Sequence, residues 1–126
     1  MLAEKHLKIL VVDDFSATRT IVINQLSKIG YSNTIEAEEG FSELAWLKSA
    51  IFDLVVIDWS LADMSGLDLL RRIREDCDLK QFPVIMTISE DLQGNIITAI
   101  KEGLNDYIIK PFEVNEFKQK LEKIFV

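Results

Sequence analysis

Five short apolar runs alternate along the chain with five stretches in which apolar residues recur every three or four positions. The runs Lys8–Val12, Asn33–Ala37, Leu54–Ile57, Pro83–Ile88 and Tyr107–Ile109 predict strands. The first, third and fourth are nearly continuous in Val, Ile and Leu, the pattern of parallel strands covered on both faces. Helices are predicted around Val22, Leu26 and Ile29, around Phe41, Leu44 and Ala45, and around Leu69, Leu70, Ile73 and Cys77. Two more follow, around Ile96, Ile97, Ile100 and Leu104 and around Val114, Phe117, Leu121 and Ile124, each with one buried stripe. Gly30 and Gly103 stand where helices should stop, and Pro83 follows the third helix. On this spacing Cys77 is expected to face the core as an inert thiol.

Strands alternating with helices predict an α/β fold with a parallel sheet and right-handed crossovers. No linker, repeat or low-complexity stretch interrupts the pattern. The fifth helical stretch runs almost to Val126, so a single domain over residues 1–126 with no output domain is expected.

Composition narrows the partners. The 126 residues carry a net charge of −7, and a phosphate-binding surface would need clustered Lys and Arg, so nucleic acid is not expected as a ligand. Basic partners or metal cations suit an acidic chain better. No signal-peptide pattern opens the sequence, and no apolar run approaches the roughly 20 residues that span a bilayer. A cytoplasmic protein that does not engage membranes is expected.

The candidate chemistry lies where strands end on charge. Asp13 and Asp14 follow the first strand, Asp58 the third, and Lys110 the fifth. The C-terminal edge of an open α/β sheet is where such folds place their sites. Two carboxylates ~5 Å apart at an effective dielectric near 20 repel by about 3 kcal/mol, so the cluster requires a cation or protons. Oxygen donors without His or Cys favour Mg²⁺ over zinc. Such a pocket can receive a phosphoryl group.

The runs "ILVVDDFSATRTIV", "LVVIDWSLADMSGLDLLRRIR" and "YIIKPF" resemble the receiver domain of two-component response regulators over essentially the whole chain. Phe15, Trp59, the "EAEEG" segment at Glu36–Gly40 and "NII" at Asn95–Ile97 resemble the stand-alone chemotaxis, CheY-like, members. The resemblance implies a doubly wound, flavodoxin-like five-stranded sheet in the order 2-1-3-4-5 with five helices. It implies that Asp58 accepts a phosphoryl group from a phosphohistidine on a histidine kinase. Asp13, Asp14, a carboxylate oxygen of Asp58 and the backbone carbonyl of Ser60 would hold Mg²⁺. Lys110 would pair with the phosphoryl oxygens, aimed by a cis Lys110–Pro111 peptide. Such a protein assists its own phosphorylation and dephosphorylation without being an enzyme in the usual sense. It signals as a monomer by protein contacts, with a flagellar motor switch protein or a phosphatase as candidate partners. The expected output face includes Tyr107, Ile96 and the region around Lys118.

The pattern fails at one place. Receivers carry Ser or Thr at the end of the fourth strand, and gap-free counting from Pro83, Asp58 and Lys110 puts Ile88 there. Thr87 and Ser89 flank it, but strand neighbours point to opposite faces, so either would need a bulge or a slip. Ser89, at the strand exit, is the better candidate for a rim hydroxyl. Tyr107 occupies the family's rotameric aromatic position, and branched Ile88 is expected to hold it in one orientation. Ala62 replaces a usual proline in the loop after Asp58, which should loosen that loop slightly.

A binding module or phosphate sink with a weakened switch is therefore an alternative. A hydrolase with an aspartyl-phosphate intermediate fits poorly, because Phe15 and Ser16 follow the Asp pair where a second acid is needed. A flavodoxin-like cofactor carrier fits worse, since Asp13 and Asp14 would repel a phosphate.

Overall fold

The computed structural model describes residues 6–38, 47, 52–61 and 63–125. Five parallel strands, β1 (Ile9–Val12), β2 (Thr34–Ala37), β3 (Leu54–Asp58), β4 (Val84–Ser89) and β5 (Asp106–Lys110), form one sheet in the order β2-β1-β3-β4-β5. The described helices are α1 (Ser16–Lys28), α2 (Gly66–Glu75), α3 (Ile96–Lys101) and α4 (Val114–Phe125), with a 3₁₀ turn at Glu90–Asn95 leading into α3. The helical pattern at Phe41, Leu44 and Ala45 lies outside the described residues, as do Trp46 and Ala62; Leu47 is helical and buried.

The strand compositions explain their places. All four residues of β1 and all five of β3 are buried, as two-sided coverage demands, whereas the edge strands β2 and β5 each have one fully buried residue. Alternation along the strands divides the core into two. Ile9, Val11, Leu54, Val56 and Ile85 face α1 and α4, meeting Val22, Leu26, Phe117 and Leu121. Leu10, Val55, Ile57, Met86 and Ile88 face α2 and α3, meeting Leu69, Leu70, Ile73, Ile96 and Ala99.

Three side chains depart from the helical reading. Cys77 is exposed because α2 ends at Glu75 and Asp76 turns to extended backbone. The stripe stops at Ile73, and Leu79 fills the next core position. In α3 the buried residues are Ile96 and Ala99, while Ile97 and Ile100 are 59% and 50% exposed. The buried face runs through Ile96 and Ala99, so Ile96 belongs to the core and not to the expected output face.

The N-terminal edge of the sheet is held by Arg74 of α2. Its Nε and Nη2 donate to the Gly103 carbonyl at 2.9 and 2.8 Å, and Nη1 donates to the Phe82 carbonyl at 2.6 Å. Nη2 also reaches Asn105 Oδ1 at 2.9 Å, which accepts the Val84 amide at 2.8 Å. Gly103 has φ +97°, and a Cβ there would lie 2.9 Å from Arg74 Nε, so chain direction and close approach both require glycine. One cation thus ties α2 to the starts of β4 and β5. Arg74→Ala is expected to lower stability by about 2 kcal/mol, since hydrogen bonds from a charged donor contribute roughly 1.5–3 kcal/mol and this group is partly exposed. Urea unfolding measures it.

Candidate phospho-acceptor and metal site

At the opposite edge of the sheet, β1 and β3 end side by side because Val12 is the register partner of Ile57. This brings Asp13 and Asp14 next to Asp58, and one carboxylate oxygen from each of the three lies within 4.8 Å of the others. Asp13 is 2% exposed and Asp58 6%, while Asp14 is open to solvent. Lys110 reaches across from β5, and its Nζ donates to Asp58 Oδ1. The Lys110–Pro111 peptide is cis. A cavity of about 240 Å³ opens over these groups, its walls including Asp14, Asp58, Trp59, Ser60 and Lys110.

The hydroxyl beside Asp58 is that of Thr87, whose Oγ1 donates to Asp58 Oδ1 at 3.2 Å in a buried setting. No bulge or slip is involved. Asp58 and Thr87 are register partners in the β3–β4 pair, and paired residues of parallel strands share a face. The same alternation turns Ile88 toward the opposite core, with no exposure. Ser89 pairs in register with Lys110 and sits on the cavity rim. Thr87 is selected by the register between β3 and β4, which counting along the chain does not give.

The loop after Asp58 is shaped by Gly66. A Cβ at this position would lie 2.5 Å from the Asp58 carbonyl oxygen. Its amide donates to the Trp59 carbonyl at 2.6 Å. Ser65 caps α2 through the Asp68 amide at 3.0 Å. The start of α2 is therefore pressed against the backbone of the acidic site, and only glycine permits that approach.

Electrostatics favour a cation. Asp13 Oδ1 accepts the Phe15 amide at 2.9 Å, but its Oδ2 is buried with no hydrogen-bond partner. Burial pushes the Asp13 pKa up from 3.8; the Phe15 amide opposes this, Asp58 and Asp14 add to it, and Lys110 offsets part of their effect. An orphaned, buried carboxylate oxygen beside two further carboxylates fits a hard divalent ion held by oxygen donors. Without such an ion, folding favours protonated Asp13. Its contribution to stability is therefore present below pH 3.8 and is lost as pH rises through the raised value. Asp13→Asn is expected to raise the urea midpoint of the metal-free protein at pH 8, to leave it unchanged near pH 3, and to abolish any Mg²⁺-induced stabilisation.

Residues 9–122 match the response regulator receiver domain family. The chain is 49% identical to the chemotaxis protein CheY-3 of Vibrio cholerae over 121 residues, covering 96% of this chain and 93% of that protein. It is 46% identical to the chemotaxis protein CheY of Pseudomonas aeruginosa, covering 94% of this chain and 96% of that one. The receiver domain of a Pseudomonas aeruginosa sensor histidine kinase, solved with a magnesium ion coordinated in its active-site cleft, superposes with a TM-score of 0.83 at 25% identity, over 94% of this chain and 96% of that one. With the five-stranded 2-1-3-4-5 sheet and the acidic cluster at its edge, these likenesses identify the chain as a member of the response regulator receiver family, similar to the chemotaxis regulators.

Proposed function

We propose that this protein is a stand-alone chemotaxis receiver that accepts a phosphoryl group on Asp58 from the phosphohistidine of a histidine kinase. The observation that carries this reading is the convergence of Asp13, Asp14, Asp58 and Lys110 at one buried sheet edge. A carboxylate oxygen of Asp58 attacks phosphorus, the bond from phosphorus to the imidazole nitrogen breaks, and an acyl phosphate forms on Asp58. Charge accumulates on the equatorial oxygens of a loose transition state, so positioned cations supply most of the catalysis. Asp13, Asp14, Asp58 and the Ser60 carbonyl would hold Mg²⁺, which would supply neutralisation of part of that charge. Lys110 neutralises another part from the β5 side. Thr87 orients Asp58 by holding the oxygen that Lys110 also holds, leaving the other oxygen as the nucleophile. Single-domain action is supported by the similar chemotaxis proteins, 93% and 96% of whose lengths this chain covers. Among the described residues no helix is long and apolar enough to cross a membrane; a cytoplasmic location and a monomeric state are part of the proposal.

The face for protein partners, a motor switch protein or a phosphatase, is proposed around β5 and α4. Tyr107 is half-buried there with Lys120 Nζ 5.3 Å from its ring centre, and Lys118 is exposed. A second reading, a receiver whose partner contacts change little on phosphorylation, is favoured by Ile88. This residue is fully buried on the Tyr107 side of β4, where the family's mobile hydroxyl would stand. The hydroxyl at Asp58 instead reaches it from the other face and needs no inward movement.

Two measurements separate these readings. Incubation with a small-molecule phosphodonor and Mg²⁺ should label wild type and leave Asp58→Asn unlabelled, while Thr87→Val should label about tenfold more slowly, the effect of losing a roughly 1.4 kcal/mol hydrogen bond. A labelled Asp58→Asn overturns the acceptor assignment. Binding of a motor or kinase peptide with and without beryllofluoride tests the switch: a large gain in affinity rejects the second reading, and unchanged affinity rejects the first reading's signalling step.

A further inference from the structure

Arg19 on the first turn of α1 is 7% exposed, an uncommon burial for a guanidinium. It spans three pieces of chain at the acidic edge. Its Nη1 donates to the backbone carbonyl of Asp13 at 2.6 Å. Its Nε donates to Glu36 Oε1 of β2 at 2.7 Å, and Nη2 lies 3.6 Å from Glu38 Oε1. The Asp13 amide donates to the Ala37 carbonyl at 3.0 Å, so the same residue is fastened to β2 through its nitrogen and to α1 through its oxygen.

We propose that Arg19 is a positioning residue for the cation site: it clamps the Asp13 peptide and thereby fixes the direction of both Asp13 and Asp14. The inference rests on the Mg²⁺-dependent phospho-acceptor reading given above. The peptide that Arg19 holds is the one joining the two aspartates, so its orientation sets where each carboxylate begins. One side of the turn is held by the Asp13 Oδ1 bond to the Phe15 amide, and Arg19 holds the other. A long-range charge effect is a weaker account, because Glu36 and Glu38 largely balance the guanidinium before its field reaches the carboxylates. Groups behind metal ligands commonly carry 10–100-fold of the metal affinity by fixing ligand geometry. Lysine cannot reproduce the clamp, since an ammonium lacks the planar fork that serves a carbonyl and a carboxylate together.

The test is Mg²⁺ titration of the full chain followed by Trp59 fluorescence and by calorimetry, with Asp13→Asn as the control for site loss. Arg19→Met, which keeps the buried stem, is expected to weaken Mg²⁺ binding by about tenfold. Metal-free hydrogen exchange at the Phe15 amide is expected to accelerate by a similar factor as the turn loosens. Arg19→Lys should fall near Arg19→Met, and Glu36→Gln, which keeps the carbonyl contact, near wild type. If Arg19→Met does not fold, the Arg19→Lys and Glu36→Gln pair still decides the matter. A folded Arg19→Lys that binds Mg²⁺ as tightly as wild type, with a lower melting temperature only, shows a structural role and overturns the proposal. Failure of wild type itself to bind Mg²⁺ overturns the functional reading instead, and the clamp's role with it.

Discussion

The register of the central parallel strands is the constraint on which the site depends. Val12 opposite Ile57 and Asp58 opposite Thr87 place the end of β1, the end of β3 and one hydroxyl of β4 at one level of the sheet. A shift of one residue in either pair would turn an entire strand's side chains to the wrong core, moving buried Val and Ile toward the other helix layer and Asp58 into apolar packing. The two apolar cores therefore enforce the acidic geometry. The sheet's packing, worth far more than any single polar contact, holds three carboxylates together against their own repulsion.

That repulsion is managed by different means on each side. Lys110 and Thr87 both address Asp58 Oδ1, so the charge of the central carboxylate is partly met within the chain. Asp13 has no such relief for its Oδ2, and the free energy of its burial is left for a cation to recover. Functional strain of this kind is concentrated in one oxygen atom. Behind it, Arg19 meets the backbone and not the carboxylate, so the pocket keeps its negative charge while its turn is held.

The two edges of the sheet divide stability from chemistry. At the N-terminal edge Arg74 satisfies a set of carbonyls with one cation and joins α2 to β4 and β5. At the C-terminal edge backbone contacts are close for another purpose: Gly66 lets α2 start against the Asp58 carbonyl, fixing the loop that carries Trp59 and Ser60. Substitutions at the two edges should therefore be read differently, one through unfolding and the other through the metal and phosphoryl chemistry proposed for it.

Much of this was legible in the sequence. Continuous apolar runs against periodic ones gave the five strands within a residue or so and the presence of the described helices, because burial on two faces and on one stripe leave distinct patterns. Strand ends on Asp13, Asp14, Asp58 and Lys110 marked the edge where a cation-dependent site would lie. The sequence did not reveal that Ile97 and Ile100 are exposed or that α2 stops short of Cys77, since a run of apolar residues marks a stripe without showing which of its members a neighbour covers or where the helix ends. Nor did it select Thr87, because the hydroxyl's partner is defined across strands and the reading along β4 pointed to Ile88 and Ser89. Arg19 extends the buried Val22–Leu26 stripe of α1 by one turn, but what it touches there depends on β2 returning beside β1. Sequence by itself determined the elements and the chemical groups at their ends, because hydrophobic patterning acts locally along the chain. Only the tertiary structure decided which groups meet, because register and packing between strands distant in sequence set those distances.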